Sequence, residues 1–142
     1  MSVEGQVIVL SVRPVWAILI TAGSKTVELC RKFPKFSGPV TALLYSTGPV
    51  KAMVGVVTID DTVILPPAAL WPRVSDRACV TEDQYRAYFC GTEEACALFL
   101  GAVRALTKPI SLEQLRSSAD FVPPMSWRRA KPEEIDLMKA LI

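Results

Sequence analysis

Eleven prolines cut this chain into short segments, and that punctuation constrains its fold more than any other feature. Proline donates no N–H and fixes φ at about −65°, so it belongs at helix starts, strand edges and turns rather than inside long elements. Between the breaks, the side-chain pattern alternates between two periods. Residues 6–12 are rich in Val and Ile and read as a first strand. Arg13-Pro14 opens a helix running to Ala22, with proline in its first turn and Gly23 just past its end. Trp16, Ile18, Leu19 and Ile20 make that helix mostly buried. Residues 26–31 alternate, Val27 and Leu29 on one face and Thr26, Glu28 and Cys30 on the other.

After a loop with Pro34 and Pro39, residues 40–45 and 51–59 read as strands joined by Ser46-Thr47-Gly48-Pro49, and 62–65 continue or pair with the second. Two short helices follow over 66–74 and 81–89, the latter opened by the capping-box pair Thr81 and Gln84. Residues 95–106 form a long strand leading to Pro109, and Ser111 with Gln114 caps another helix. The tail, 132–142, places Glu133 and Glu134 at a helix's positive end and Ile135, Met138, Leu141 and Ile142 along one face. That stripe either seals a core or supports a weak homodimer of an otherwise monomeric chain. The mixed order predicts an α+β fold, a small curved sheet or barrel with helices at its ends, and not a regular βαβ alternation. At 142 residues, 51% of them apolar and 21% charged, the chain reads as one globular domain over 1–142, with 131–142 as a helical extension.

The longest stretch without a charge, 36–50, is broken by Ser37-Gly38-Pro39 and Gly48-Pro49 and falls short of the roughly 20 residues a membrane span needs. Residues 1–6 carry Glu4 and no basic residue, so no secretory leader is expected and the expected location is cytoplasmic. Cys30, Cys79, Cys90 and Cys96 include no CxxC pair, which argues for reduced, mostly buried thiols and against a structural zinc site. No histidine occurs anywhere, which excludes histidine triads, imidazole relays and HExxH zinc sites within this chain. Acid–base chemistry must use Asp, Glu, Lys, Tyr or Cys, and neither metal nor cofactor is expected.

The densest polar cluster is Gly23-Ser24-Lys25-Thr26-Val27-Glu28-Leu29-Cys30-Arg31-Lys32. Thr26 and Glu28 point the same way along a strand, and Lys25 sits at the turn, where a long side chain can swing toward them. A lysine beside a carboxylate can bind phosphate, orient a carbonyl or shuttle protons. The same residues also suit a surface hairpin with an ordinary salt bridge. Near the end, Pro123-Pro124-Met125-Ser126-Trp127-Arg128-Arg129 combines a stiff proline pair, a ring that can stack and two guanidiniums. Aromatic plus Arg serves to hold a splayed base and its phosphate; equally, Trp127 can plug a core with Arg128 and Arg129 solvated. The net charge of +2 hides an asymmetry: Arg13, Lys25, Arg31, Lys32, Lys35 and Lys51 face only Glu4 and Glu28 in the first 59 residues.

Leu10-Ser11-Val12-Arg13-Pro14 and Gly23-Ser24-Lys25-Thr26-Val27-Glu28-Leu29 together resemble the start of an ASCH domain. The match continues through Leu44-Tyr45-Ser46-Thr47-Gly48-Pro49-Val50, Val54-Gly55-Val56, Leu70-Trp71, 85–89, Lys108-Pro109-Ile110-Ser111-Leu112 and Pro123-Pro124-Met125-Ser126-Trp127, covering 7–129. The resemblance implies a small PUA-like mixed β-barrel with a cleft associated with RNA. It also implies RNA or nucleotide binding, for which the basic, polar and aromatic positions Arg13, Lys25, Arg31, Ser46, Lys51, Ser126, Trp127 and Arg128 are the candidate ligand-binding set. Some small bacterial members are amidohydrolases that remove the acyl group from acetylcytidine with a lysine, a threonine and a glutamate, and ribonuclease activity is claimed for some relatives. Carried over, the lysine is Lys25; the threonine's place is taken by Glu28, with Thr26 on the same strand face; the nearest acid to the glutamate is Asp76. Arginine usually follows the Glu-Leu pair, whereas here Cys30 does and Arg31 comes one later.

Overall fold

The computed structural model describes residues 6–141. The leader reading of residues 1–5, Ile142 of the tail stripe and the side chain of Leu141 lie outside what it describes. Among the described residues the elements run β1 (Val7–Val12), α1 (Pro14–Thr21), β2 (Val27–Cys30), β3 (Val40–Ser46), β4 (Ala52–Leu65), α2 (Pro67–Val74), α3 (Glu82–Tyr88), β5 (Ala95–Ser111), α4 (Leu112–Ala119), β6 (Trp127–Arg129) and α5 (Pro132–Leu141). The strands form one sheet in the order β2-β5-β4-β3-β1-β6, with β1 and β3 parallel and the other pairs antiparallel. The sheet curls into a half-barrel and leaves β2 and β6 as its two edges.

Strict alternation sorts the apolar residues between the two faces. Ile8, Leu10, Leu44, Cys30 and Leu98 fill the inside, where Ala17 and Ile20 of α1 close it. Val27 and Leu29 of β2 point outward under α2 and α3, and Val9, Leu43 and Tyr45 point outward under α4 and α5. The expected two-faced pattern of β2 is observed, and the fold turns Cys30 inward and Val27 and Leu29 outward.

Of the two alternatives for 62–65 the first holds: it continues the preceding strand as one 14-residue strand, β4. Two expectations change. The strand expected to stop at 106 runs through Pro109 to Ser111; Met53 pairs with Ile110 and Gly55 with Ala105, so Pro109 falls in an irregularity where its missing N–H breaks no ladder bond. Gly55 is required at this point, because a Cβ there would stand 2.9 Å from the Arg104 carbonyl. Finally, α1 buries only Ala17 and Ile20, and Ile18 is 66% exposed. A short helix laid across the end of a half-barrel turns a single stripe inward.

The Thr81 capping box forms as expected: Oγ1 accepts from Gln84 N at 3.1 Å, and Thr81 N donates to Gln84 Oε1 at 2.8 Å. Thr81→Ala should cost about 1 kcal/mol in urea unfolding, the usual loss for an N-cap hydroxyl. The tail helix α5 lays Met138 and its neighbours Ile135 and Leu137 against the outer sheet face, so the described part of its stripe covers this face. No helix among the described residues is long and apolar enough to cross a membrane.

Candidate functional site

The turn after α1 delivers a lysine into the barrel end. Gly23, at φ +81°, reverses the chain, and Ser24 N and Lys25 N both donate to the Leu19 carbonyl, at 2.9 and 3.0 Å. Lys25 therefore does not swing on a surface turn; its side chain is only 1% exposed. Its Nζ donates to the Ala78 carbonyl, lies 3.6 Å from Glu28 Oε1 and sits 4.9 Å from the centroid of the Trp16 ring. The burial excludes the surface-hairpin reading of this cluster.

Glu28 is the next inward residue of β2 after Thr26, and its side chain is 12% exposed. Burial pushes the Lys25 ammonium below its usual range and the Glu28 carboxyl above its own, while the attraction between them offsets part of each shift. Both groups thus move toward neutrality, which suits a pair that passes a proton.

Thr26 has a different task. Its Oγ1 accepts from Arg77 Nε at 2.9 Å, and Thr26 N and Val27 N donate to the Arg77 carbonyl at 3.1 and 3.3 Å. Arg77 also lies over the Phe99 ring, 4.9 Å from its centroid. This clamp fixes residues 76–78 against β2 and holds the Ala78 carbonyl over Lys25. Asp76, one residue earlier, is exposed and stays outside ion-pair distance of Lys25.

Further along β2, Cys30 stands opposite Cys96. Burial, then Glu28 and Cys96, raise its thiol well above the ordinary range, and the nearby Ser126 side chain offsets part of this. Ser126 is held there because Ser11 N donates to its carbonyl at 2.8 Å and Ser11 Oγ donates to the Pro124 carbonyl at 2.8 Å. Trp127 is half-buried, 5.0 Å from Phe33 and 6.0 Å from Phe36 between ring centroids, and Arg129 lies 5.0 Å over Phe36. Phe33, three residues beyond Cys30, meets Trp127, so the segment after β2 and the start of β6 approach each other and form a seam between these two edges. Exposed Arg31, Lys32 and Lys35 continue directly from β2.

Other expected ligand residues lie apart from this seam or are already engaged. Arg128 grips Glu134 with both terminal nitrogens, at 2.8 and 2.7 Å, so it ties α5 to β6 and is not a solvated cation. Arg13 is exposed at the start of α1. Ser46 is buried, and its hydroxyl has no hydrogen-bond partner among the described residues. Lys51, at φ +51°, lines a separate cavity of about 480 Å³ with Arg116, Ser111 and Glu113. Of the cysteines, Cys30 and Cys96 are buried and Cys79 and Cys90 exposed, all four as free thiols.

Three site residues escaped the sequence reading. Trp16 was legible only as an apolar helix residue, and Arg77 carries no local signal. Tyr88 reaches the Leu29 carbonyl with its hydroxyl at 3.4 Å; burial, with Cys30 and Glu28 nearby, pushes that hydroxyl up to about 12.

No family model matches the chain. A curated relative from Zymomonas mobilis, named ASCH domain-containing ribonuclease, is 36% identical over 134 residues, spanning 94% of this chain and 90% of its own length. A crystal structure of ASCH from Zymomonas mobilis superposes with a TM-score of 0.89 at 34% identity, covering 96% of this chain and 95% of that one. A serine-to-alanine variant of the same protein superposes with a TM-score of 0.89 at 33% identity, covering 97% of both chains. The N-terminal domain of Staphylothermus marinus McrB, 12% identical with a TM-score of 0.57 and 94% and 93% coverage, shares the fold alone. By its identity to the Zymomonas relative along nearly the whole chain, and by its α+β, PUA-like half-barrel, this chain belongs to the ASCH-domain family.

Proposed function

We propose that this chain binds single-stranded RNA, or a nucleotide of it, along the β2–β6 seam, with Lys25 and Glu28 as the reactive pair. One observation carries the reading: a lysine 1% exposed is held 3.6 Å from a carboxylate on the edge strand β2, which leads on to the exposed Arg31, Lys32 and Lys35. Cations along an open edge attract phosphates, and a half-exposed indole accepts a base. Fluorescence anisotropy with a labelled single-stranded RNA tests it. Kd should rise roughly tenfold or more from low to moderate salt as counterions compete for the basic stretch, and Arg31→Ala combined with Lys32→Ala should weaken binding and flatten that slope. Binding indifferent to salt, or none at micromolar protein, overturns the proposal.

The ribonuclease named among the relatives supports a second step at the same place, cleavage of the bound strand. Glu28 takes the proton of a ribose 2′-hydroxyl, whose oxygen attacks the adjacent phosphorus; Lys25 gives a proton to the departing 5′-oxygen. A 2′,3′-cyclic phosphate and a free 5′-hydroxyl result. Activity then requires an ionised Glu28 and a protonated Lys25, so the rate should follow a bell. Its acid limb lies above the ordinary carboxylate range and its alkaline limb below the ordinary lysine range. Deacylation of acetylcytidine would use the same pair to drive water onto an amide carbonyl. Incubating the protein with acetylcytidine and with RNA separates the two: released cytidine marks deacylation, and cyclic-phosphate ends mark cleavage.

A further inference from the structure

We propose that the cleft between α2 and α3 is a nucleobase subsite, which takes up a base of an RNA strand running along the seam. The inference rests on the RNA reading above and extends it. The cleft encloses about 340 Å³ between Pro67, Trp71, Tyr85 and Phe89, with Glu82 and Arg86 at its rim. That volume lies in the range of small-ligand pockets.

Trp71 and Tyr85 pack with centroids 4.7 Å apart, Tyr85 and Phe89 4.8 Å, and Phe89 and Tyr88 4.9 Å. This row of rings leads from the cleft to Tyr88, whose hydroxyl reaches the Leu29 carbonyl of β2, next to Glu28. The cleft and the seam are thus two ends of one aromatic path.

The chemistry of the walls selects the ligand. Tyr85 is rigid, its hydroxyl given to the Pro67 carbonyl at 2.7 Å. Trp71 is half-buried, and its indole N–H finds no acceptor among the described residues. A flat ring system can therefore stack in the cleft. At the rim, Glu82 and Arg86 pair with each other one helical turn apart, largely in water, where such a pair is weak and exchanges partners readily. A ligand that meets both must carry acceptors and donors on one edge. An aliphatic chain has neither, and a phosphate would face the Glu82 carboxylate. A nucleobase has the ring and the edge together.

Titration of the full chain with guanosine, cytidine and cyclohexanol, followed by nuclear magnetic resonance, tests this. The Trp71 indole signal is assigned through Trp71→Phe. Millimolar nucleosides should shift that signal and cyclohexanol should not. Trp71→Ala should weaken nucleoside binding roughly fivefold or more, the effect of losing one base–aromatic stack. Arg86→Ala, on an exposed helix surface, should weaken it without risk to folding. A silent Trp71, an equal response to cyclohexanol, or unchanged binding in both variants overturns the proposal. Nucleosides carry no phosphate, so the two readings fail separately. RNA binding with a silent Trp71 removes the subsite alone, whereas a nucleoside response without RNA binding removes the seam reading and leaves a nucleoside pocket.

Discussion

Arg128→Ala should lower the unfolding free energy by about 3–5 kcal/mol, the range found when one partner of a buried ion pair is deleted. Glu134 is 0% exposed, and its carboxylate accepts both terminal nitrogens of Arg128 and, at 2.8 Å, the main-chain N–H of Lys131. Deleting the guanidinium leaves that buried carboxylate with one main-chain donor. It also removes a donor from the Val122 carbonyl and a cation 5.2 Å from the Phe121 ring, so α5, β6 and the preceding loop loosen together. Arg128→Lys should recover only part of the loss, because an ammonium cannot form the two-pronged contact. Urea unfolding measures both variants, and a loss under about 1 kcal/mol for Arg128→Ala would contradict this account.

The pair also sets a pH dependence. Burial alone would raise the Glu134 carboxyl, but the Arg128 fork and the Lys131 N–H outweigh it and hold the group below its reference value of 4.5. The unfolded chain therefore binds the proton first as pH falls. Stability from this group is fully present above about 4.5 and is lost as pH drops through the folded value. In Arg128→Ala, that part of the acid sensitivity should vanish or reverse.

What the sequence makes legible here is local. Which residues of β2 share a face follows from a two-residue period, and the Thr81 cap from a four-residue pattern. Burial of Lys25 could not be read in the same way, because the carbonyl that accepts its hydrogen bond belongs to Ala78, 53 residues away. A lysine after a glycine turn looks solvated until the Arg77 clamp brings that segment over it. Arg128 misleads for the same reason: beside Trp127 it resembles a nucleic-acid contact, yet α5 folds back and supplies Glu134. Candidate chemistry was visible as residue types; which cations are free and which are structural was decided by contacts distant in the chain.

Lys25→Met should cut RNA cleavage by about 10²–10⁴-fold, the share a positioned acid or base contributes, while leaving the fold nearly as stable. The two effects separate because of where Lys25 lies. Methionine fills a similar apolar space beneath Trp16, and removing a desolvated ammonium offsets the lost contacts with Ala78 and Glu28. Glu28, already raised by burial, then loses the cation that favoured its ionised form and rises further, which lessens the cost of leaving it without its partner. The pH–rate profile should report this directly: the alkaline limb, which belongs to Lys25, disappears, and the acid limb moves up. Lys25→Arg should retain RNA binding but not the alkaline limb, since a guanidinium does not release its proton in this range. Full cleavage by Lys25→Met would move the chemistry away from the seam, and the cavity beside Lys51 and Arg116 would be the next place to look.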